Sequence, residues 1–483
     1  MQYKTTFRLI GLLLIIFSPS MLTPLIINGI FHEDVWTPFI IAFALTFSTG
    51  SLLRFIFRKH QHELKNRDGF LIVVLFWLVL CFFASLPFLF AMSNSENLTD
   101  ALFETVSGIT TTGASVIVNI DLLPHAILFY RQQLQFIGGI GIVLLAVSIL
   151  PMLGVGGMQL YRAETPGPMK DSKLTPRIMQ TAKALWAIYV SLTLLCALCY
   201  WITGMDWFDA VGESFGTVST GGFSMHSNSF AYYNSDAIIL IASLFMFLSG
   251  TSFTLHFIAY QKRTLKYYWE NEEFRTYVGI IVITGCFVTI ALINHQLFQI
   301  TPHTFVTSIF TIVSFVTTTG FDLNLVPSWP TFVPLLITIL MLIGGCAAST
   351  SGGIKVLRAL LIFKQSKREL VRLIHPQAII PIKLGKQSLS ESVLQSMWGF
   401  TSVFIATYIL LMLIFMALGH DLEVAFAAIT AGIANAGTGI GQFSVSFPQL
   451  DAPSKWVLIF AMLAGRLEIF SILILFTPQF WRK

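Results

Sequence analysis

Long apolar runs alternate with short charged stretches along the whole chain, and the lengths of the runs set the first expectation. A bilayer core takes about 20 apolar residues of helix, within a range of roughly 17–25. Ten such runs stand near residues 9–28, 37–53, 70–92, 133–153, 184–204, 237–260, 277–294, 331–363, 398–419 and 456–476. Between them lie four half-apolar segments, near 100–112, 209–219, 307–318 and 424–435, too short to cross. The pattern predicts an all-α integral membrane protein with ten spans. Ser18-Pro19-Ser20 interrupts the first run, which follows two basic residues and has no small-residue cleavage site. We read it as a retained helix, not a signal peptide.

The short segments resemble one another. Each opens as a helix and runs into small polar residues and glycine: Thr110-Thr111-Thr112-Gly113, Ser219-Thr220-Gly221-Gly222, Thr317-Thr318-Thr319-Gly320 and Ala434-Asn435-Ala436-Gly437. The final glycines are 109, 98 and 117 residues apart. Asp100 and Asp209 each lie 13 residues before their glycine, with Glu104 and Glu213 four further on, and Phe103 and Phe310 share an offset. A unit of about 100 residues occurring four times decides the architecture before any local feature does. It divides the chain into a two-helix extension over 1–66 and four membrane–pore–membrane repeats around a central pore. These cover 67–165, 166–265, 266–375, with a broken second helix, and 376–483.

Irregular backbone at membrane depth must be buried in protein or line a wet cavity, because lipid cannot satisfy its amides. A half-helix that turns at glycine directs its negative end toward the bilayer centre. The extended strand after it can aim carbonyls inward to replace the water around a cation. Four such strands around an axis make a cation filter from one chain. The Asp and Glu residues opening the short helices are expected to act first as N-caps. Asp322, just past the third glycine turn, is the best-placed acid to act on a cation there.

Charge orients the chain. With both termini inside, the inner segments carry 24 of the 29 Lys and Arg, while Glu33, Asp34, Glu96, Asp121 and Asp451 fall in outer connections. That is the asymmetry of the positive-inside rule. The expected location is therefore a cytoplasmic membrane, with both termini cytoplasmic. The inner loops near 162–183 and 364–395 are long and basic, suited to anionic lipid or to a soluble regulator.

Composition removes other classes. Of the 483 residues 55% are apolar and 11% charged, against about 25% charged in a soluble domain. This excludes a cytosolic enzyme, a disordered chain and a secreted disulfide scaffold. The five Cys all lie in apolar runs, so Cys196-Ala-Leu-Cys199 reads as packing, not as a redox or metal motif. No paired carboxylates, His-Glu-x-x-His motif or nucleophile with a base falls inside the spans, so no enzyme is expected. Gly154-Val155-Gly156-Gly157 follows a membrane helix and is not a dinucleotide site.

Two features point to a gate. The eighth span is interrupted by ten small residues, Gly344 to Gly353, including Gly345, Ser349, Thr350, Ser351 and Gly352. Glycine costs about 1 kcal/mol relative to alanine in a helix. We expect an unwound loop beneath the glycine turns; close helix packing through small side chains is the alternative. Arg466 lies about eleven residues into the last span, where a charge costs about 2.5–3.5 kcal/mol and so faces protein or water. Glu468, two residues on, is not placed to pair with it. Arg466 either ties helices together through backbone carbonyls or faces the ion path. His256 and Glu164 have no partner visible in the sequence.

At the four glycine turns the sequence resembles the Trk/Ktr/HKT superfamily of potassium transporters, and the resemblance covers essentially the whole chain. Gly69–Trp77, Gly156–Glu164 and Pro124–Gln132 match its longer type nearly word for word, and so do the two helices ahead of the first repeat. The resemblance implies potassium uptake, with Gly113, Gly222, Gly320 and Gly437 as filter glycines. It implies Thr111, Thr112, Thr220, Gly221, Thr318, Thr319, Asn435 and Ala436 as carbonyl donors. Glycine rather than serine at position 113 favours potassium over sodium. It also implies that the 344–353 loop obstructs the ion path, with Arg466 as a positive barrier just below the filter. It implies a homodimer and a cytosolic ring of nucleotide- and NAD-binding regulatory subunits of the TrkA kind. K+ is then the transported ion, and no cofactor is expected in this chain. Proton- or sodium-coupled symport is the alternative to a channel-like pore. The chain departs from the family's usual residues at Thr319, Thr438, Ala348 and Ser351, and the last two are expected to stiffen the loop.

Overall fold

The computed structural model describes residues 3–59, 66–91, 98–148, 174–294, 301–323, 329–330, 332–385, 387–439 and 447–482. Among these the chain is helical apart from one short antiparallel ladder, Lys383–Leu384 against Gln387–Ser388. Most of the inner loop near 162–183, with Glu164 and Gly154–Gly157, lies outside the described residues, as does the 165/166 repeat boundary.

By length and composition, six described helices can cross a bilayer: Tyr3–Ile30, Trp36–Ile56, Arg67–Ala91, Gln180–Ile202, Glu272–Asn294 and Glu391–Ala417. The first passes through a 3-10 turn at Ser18–Met21, where Pro19 removes an amide donor. Two further pairs would each make a span but are sharply bent. Asp236–Ser249 meets Phe253–Lys262 at 89°, and Ala452–Arg466 meets Phe470–Phe476 at 108°. These breaks correct the expectation of continuous sixth and tenth spans. Each pair is apolar enough overall to count as one span, yet the breaks fall at Ser249-Gly250-Thr251-Ser252 and Arg466-Leu467-Glu468, and contacts distant in sequence fix them. The Gly250 carbonyl accepts from the Cys346 amide at 2.9 Å, and Glu468 leaves the helix to meet Arg358 at 2.6 Å.

The four short segments are helices, Leu98–Ile109, Trp207–Ser219, Pro302–Val316 and Leu422–Ile433. Each packs between two partner helices, and the partners are shared in a closed cycle. His125–Ser148 lies against the first and second short helices, and Asp236–Ser249 against the second and third. Phe332–Ile343 lies against the third and fourth, and Ala452–Arg466 against the fourth and the first. Two large apolar cores result. One joins the N-terminal helices to the first and last quarters of the chain, and the other joins the two middle quarters. Phe103 and Phe310, at matching offsets, are fully buried in one core each.

The short helices are not capped as expected. Asp206, not Asp209, is the N-cap of the second, accepting from the Phe208 amide at 3.0 Å, and Thr301 caps the third. Asp100 sits inside the first turn and takes Lys455 Nζ at 2.6 Å. Both Glu residues are deep in their helices, buried, and used differently, as described next.

Candidate functional site: a ring of four glycine turns

All four short helices end the same way. Thr111, Thr220, Thr318 and Asn435 adopt left-handed backbone with φ between 51° and 57°, two residues before the glycine. The next amide, at Thr112, Gly221, Thr319 and Ala436, donates five residues back, to Ser107 (2.8 Å), Gly216 (2.8 Å), Ser314 (2.8 Å) and Ala431 (2.9 Å). This is the Schellman closure, which satisfies the last helix carbonyls. Left-handed backbone without glycine costs roughly 1–2 kcal/mol per residue, so four such positions require the surrounding packing to hold them.

The glycines then interlock. Gly113, Gly222, Gly320 and Gly437 have φ of 87°, 82°, 82° and 67°. A Cβ at Gly113 would stand 2.3 Å from the Gly221 carbonyl oxygen, at Gly222 2.0 Å from that of Thr319, at Gly320 2.1 Å from Ala436, and at Gly437 2.1 Å from Thr112. Each turn therefore abuts the carbonyl of the next, and the fourth closes on the first. The structure brings together all twelve residues that sequence reasoning put at the turns, in one ring. Outside the ring opens a cavity of ≈ 240 Å³ lined by its four glycines together with Arg131, His226 and Asp322.

Side chains whose role sequence reasoning missed hold the strands after the glycines. Glu104 accepts from Ser115 Oγ and, at 3.0 Å, from the Val116 amide; Glu213 accepts from Ser224 Oγ at 2.6 Å and the Met225 amide at 2.8 Å. Gln135 donates to the Gly221 carbonyl at 2.6 Å, and Gln132 to that of Phe223 at 2.8 Å. Arg131, fully buried, pairs with Glu104 at 2.8 Å and stacks over the Phe223 ring. The repeated offset of the two Glu residues was the available signal, but capping was the wrong reading of it. Of the departures from the family pattern, Thr438 Oγ1 donates to the Gly320 carbonyl at 3.1 Å, and Thr319 Oγ1 meets Thr317 Oγ1 at 2.7 Å.

At the helix-C-terminal side of the ring lies the small-residue loop. The helix Phe332–Ile343 stops, and helix resumes only at Val356. Thr350 Oγ1 reaches the Val218 and Ser249 carbonyls, both at 3.2 Å, and accepts from Thr220 Oγ1 at 3.2 Å. The Gly352 amide donates to Thr318 Oγ1 at 2.6 Å, and a Cβ there would lie 1.9 Å from the Ala434 carbonyl oxygen. The loop thus touches the ends of the second, third and fourth short helices. Ser349 bonds within the loop to the Cys346 carbonyl, and a Cβ at Gly345 would meet Ser351 Oγ at 2.5 Å. Ala348 adopts φ 55°, so an alanine occupies a left-handed position there.

Arg466 is buried beside this loop, its Nη1 donating to the Thr350 carbonyl at 2.8 Å, with no hydrogen-bond partner for Nε or Nη2 among the described residues. Glu468 pairs with Arg358, which stacks over Phe400. His256 has partners after all, the Tyr268 hydroxyl and the Leu248 carbonyl. Asp322 lines the cavity beside the ring glycines, its amide donating to Ser229 Oγ at 3.3 Å.

The family model described as TrkH, a cation transport protein, matches residues 37–483. The chain is 48% identical over 483 residues, all of both chains, to the Trk system potassium uptake protein TrkH of Escherichia coli (strain K12). It is 38% identical over 481 residues to TrkG of the same strain, covering 98% of this chain and 97% of that one. The crystal structure of the potassium transporter TrkH from Vibrio parahaemolyticus superposes with a TM-score of 0.93 at 45% identity, over 100% of both chains.

Proposed function

The chain belongs to the TrkH cation transport family, and from that premise we propose how its residues carry out potassium uptake. The protein is a multi-pass membrane transporter of potassium, not an enzyme, and K+ is its cargo. The ring of Gly113, Gly222, Gly320 and Gly437, with the carbonyls of the residues just before them, is the potassium filter. One observation carries this reading: each glycine abuts the next turn's carbonyl in a closed cycle. A cation that sheds its water needs such a set of oxygens, and no side chain at the glycines obstructs their approach.

In this reading ten spans and four repeats surround the ring in a cytoplasmic membrane, with both termini inside. The 344–353 loop is the gate, since it bonds to the ends of the second and third short helices and packs against the end of the fourth. Arg466 holds that gate through the Thr350 carbonyl and repels resting cations. The basic inner face meets lipid and a nucleotide- or NAD-binding regulatory ring, and the transporter works as a homodimer.

Rubidium uptake into proteoliposomes containing only this chain, with no proton or sodium gradient, tests the proposal. Uptake competed by potassium and not by sodium supports a selective, channel-like filter. Equal competition by sodium refutes the selectivity. Uptake only after a proton or sodium gradient is imposed refutes the passive pore in favour of symport.

A further inference from the structure

The first two repeats carry a carboxylate nine residues before the ring glycine, bonded alike but compensated differently. Both Glu104 and Glu213 accept from a serine hydroxyl and a backbone amide of the strand after the glycine. Glu104 also receives Arg131, so a full positive charge matches it. Among the described residues no Lys or Arg pairs with Glu213. It is 0% exposed, its further partner is the Tyr233 hydroxyl at 3.3 Å, and its Oε2 has no hydrogen-bond partner among the described residues. The third and fourth repeats have Thr311 and Ala428 at this offset.

The charged and titratable groups around Glu213 do not remedy this. Arg131 Nη1 reaches only the Ser224 carbonyl, at 3.4 Å, and both ring nitrogens of His226 are engaged, Nε2 with Asp209 at 2.8 Å and Nδ1 with Asp121 at 2.9 Å. Tyr232 stacks on the His226 ring at 3.5 Å and Tyr233 stands edge-on to it at 5.6 Å. Two carboxylates already share whatever positive charge His226 carries. A buried carboxylate without a counter-charge gives way to its neutral acid.

We propose that Glu213 is a proton-binding site in the wall of the outer mouth, and that a proton there and an entering potassium ion compete. The proposal rests on the ring being the potassium path. Ser224, which donates to Glu213, and His226 both line the cavity outside the ring. A cation standing in that cavity is the counter-charge that lets Glu213 ionise, and an ionised Glu213 in turn favours the cation. The coupling is reciprocal. Glu104, already matched by Arg131, takes no part in it.

The test uses the full chain in proteoliposomes, with the KM for rubidium measured at external pH from about 5 to about 8. We expect KM to fall about tenfold as pH rises, within the roughly 5–150-fold range of site couplings. The Glu213→Gln variant keeps an oxygen for Ser224 and Met225 but cannot ionise, so its KM should stay high and flat across the range, while Glu213→Asp restores the slope. A Glu213→Gln profile as steep as that of the native chain overturns the proposal. Infrared difference spectra between acid and alkaline buffer give a readout independent of transport. A carboxylic-acid C=O band lost at high pH and absent from Glu213→Gln supports the site, and a band unchanged by the substitution refutes it. If the native chain takes up no rubidium at any pH, the filter reading has failed, and the infrared result still decides the proton site.

Discussion

Replacing Thr350 with valine isolates the loop's hold on the ring. The two side chains have nearly the same shape, so the change removes a hydroxyl and little else. That hydroxyl lies 3.2 Å from the Val218 and Ser249 carbonyls, to only one of which it can donate at a time, and accepts from Thr220 Oγ1 at 3.2 Å. At most two hydrogen bonds are therefore lost, since the single Thr220 proton also serves the Ser219 carbonyl at 2.7 Å, at about 0.5–1.5 kcal/mol each, or up to about 3 kcal/mol together. The Arg466 contact goes to the Thr350 backbone carbonyl and survives. A destabilisation of about 1–3 kcal/mol shifts a two-state equilibrium by roughly 5–150-fold. A pore open about 1% of the time would then be open about 5–60% of the time. The assay is initial-rate rubidium uptake per folded transporter in proteoliposomes, native against Thr350→Val, at saturating rubidium. Uptake that stays equal or falls, in protein that elutes as a single native-size species, refutes the loop as the closed gate.

Three further outcomes follow from the same geometry. Gly222→Ala places a Cβ 2.0 Å from the Thr319 carbonyl oxygen at φ 82°. It should abolish uptake and lower the melting temperature, the backbone strain alone costing roughly 1–2 kcal/mol, and native-like uptake would refute the ring. Arg466→Ala should raise uptake severalfold by removing both a positive barrier and the anchor on Thr350, and a folded variant with lower flux would sink that role. The third concerns pH. Partial burial works against the charged form of His226, but the bonds to Asp209 and Asp121 outweigh it and hold the imidazole above its ordinary range. A raised value means the tie contributes stability that is complete below the unfolded value of about 6.5 and is lost as pH rises through the folded one. Amide exchange at residues 120–123 and 226–229, corrected for its intrinsic pH dependence, should therefore accelerate above neutral pH and become pH-independent in His226→Gln.

Much of the architecture was legible because the signals are local. Apolar run length separates the short helices from the spans, and the glycine spacing exposes the repeat. The small-residue stretch marked where the Phe332–Ile343 helix stops. The four left-handed residues at Thr111, Thr220, Thr318 and Asn435 were less legible, since three threonines and an asparagine carry no glycine signal; tertiary packing, not propensity, holds them there. Glu104 and Glu213 were visible as repeated acids, but an N-cap is a local role, and theirs reaches 11 and 12 residues along the chain to a strand whose position the ring sets. The breaks after Ser249 and Arg466 were missed because each stretch averages apolar enough for one span, although Ser249-Gly250-Thr251-Ser252 and the charges Arg466 and Glu468 mark where they fall.

From sequence alone came the membrane class, the helical segments and the fourfold repeat, because lipid demands long apolar helices and repetition needs no partner to be seen. Only the tertiary structure decided which carbonyl meets which glycine, where the loop rests, and that Arg131 balances Glu104 while no Lys or Arg among the described residues balances Glu213. The physical reason is distance along the chain. These contacts join residues up to several hundred positions apart, as in Gly437 against Thr112, and no local pattern encodes which of them will meet.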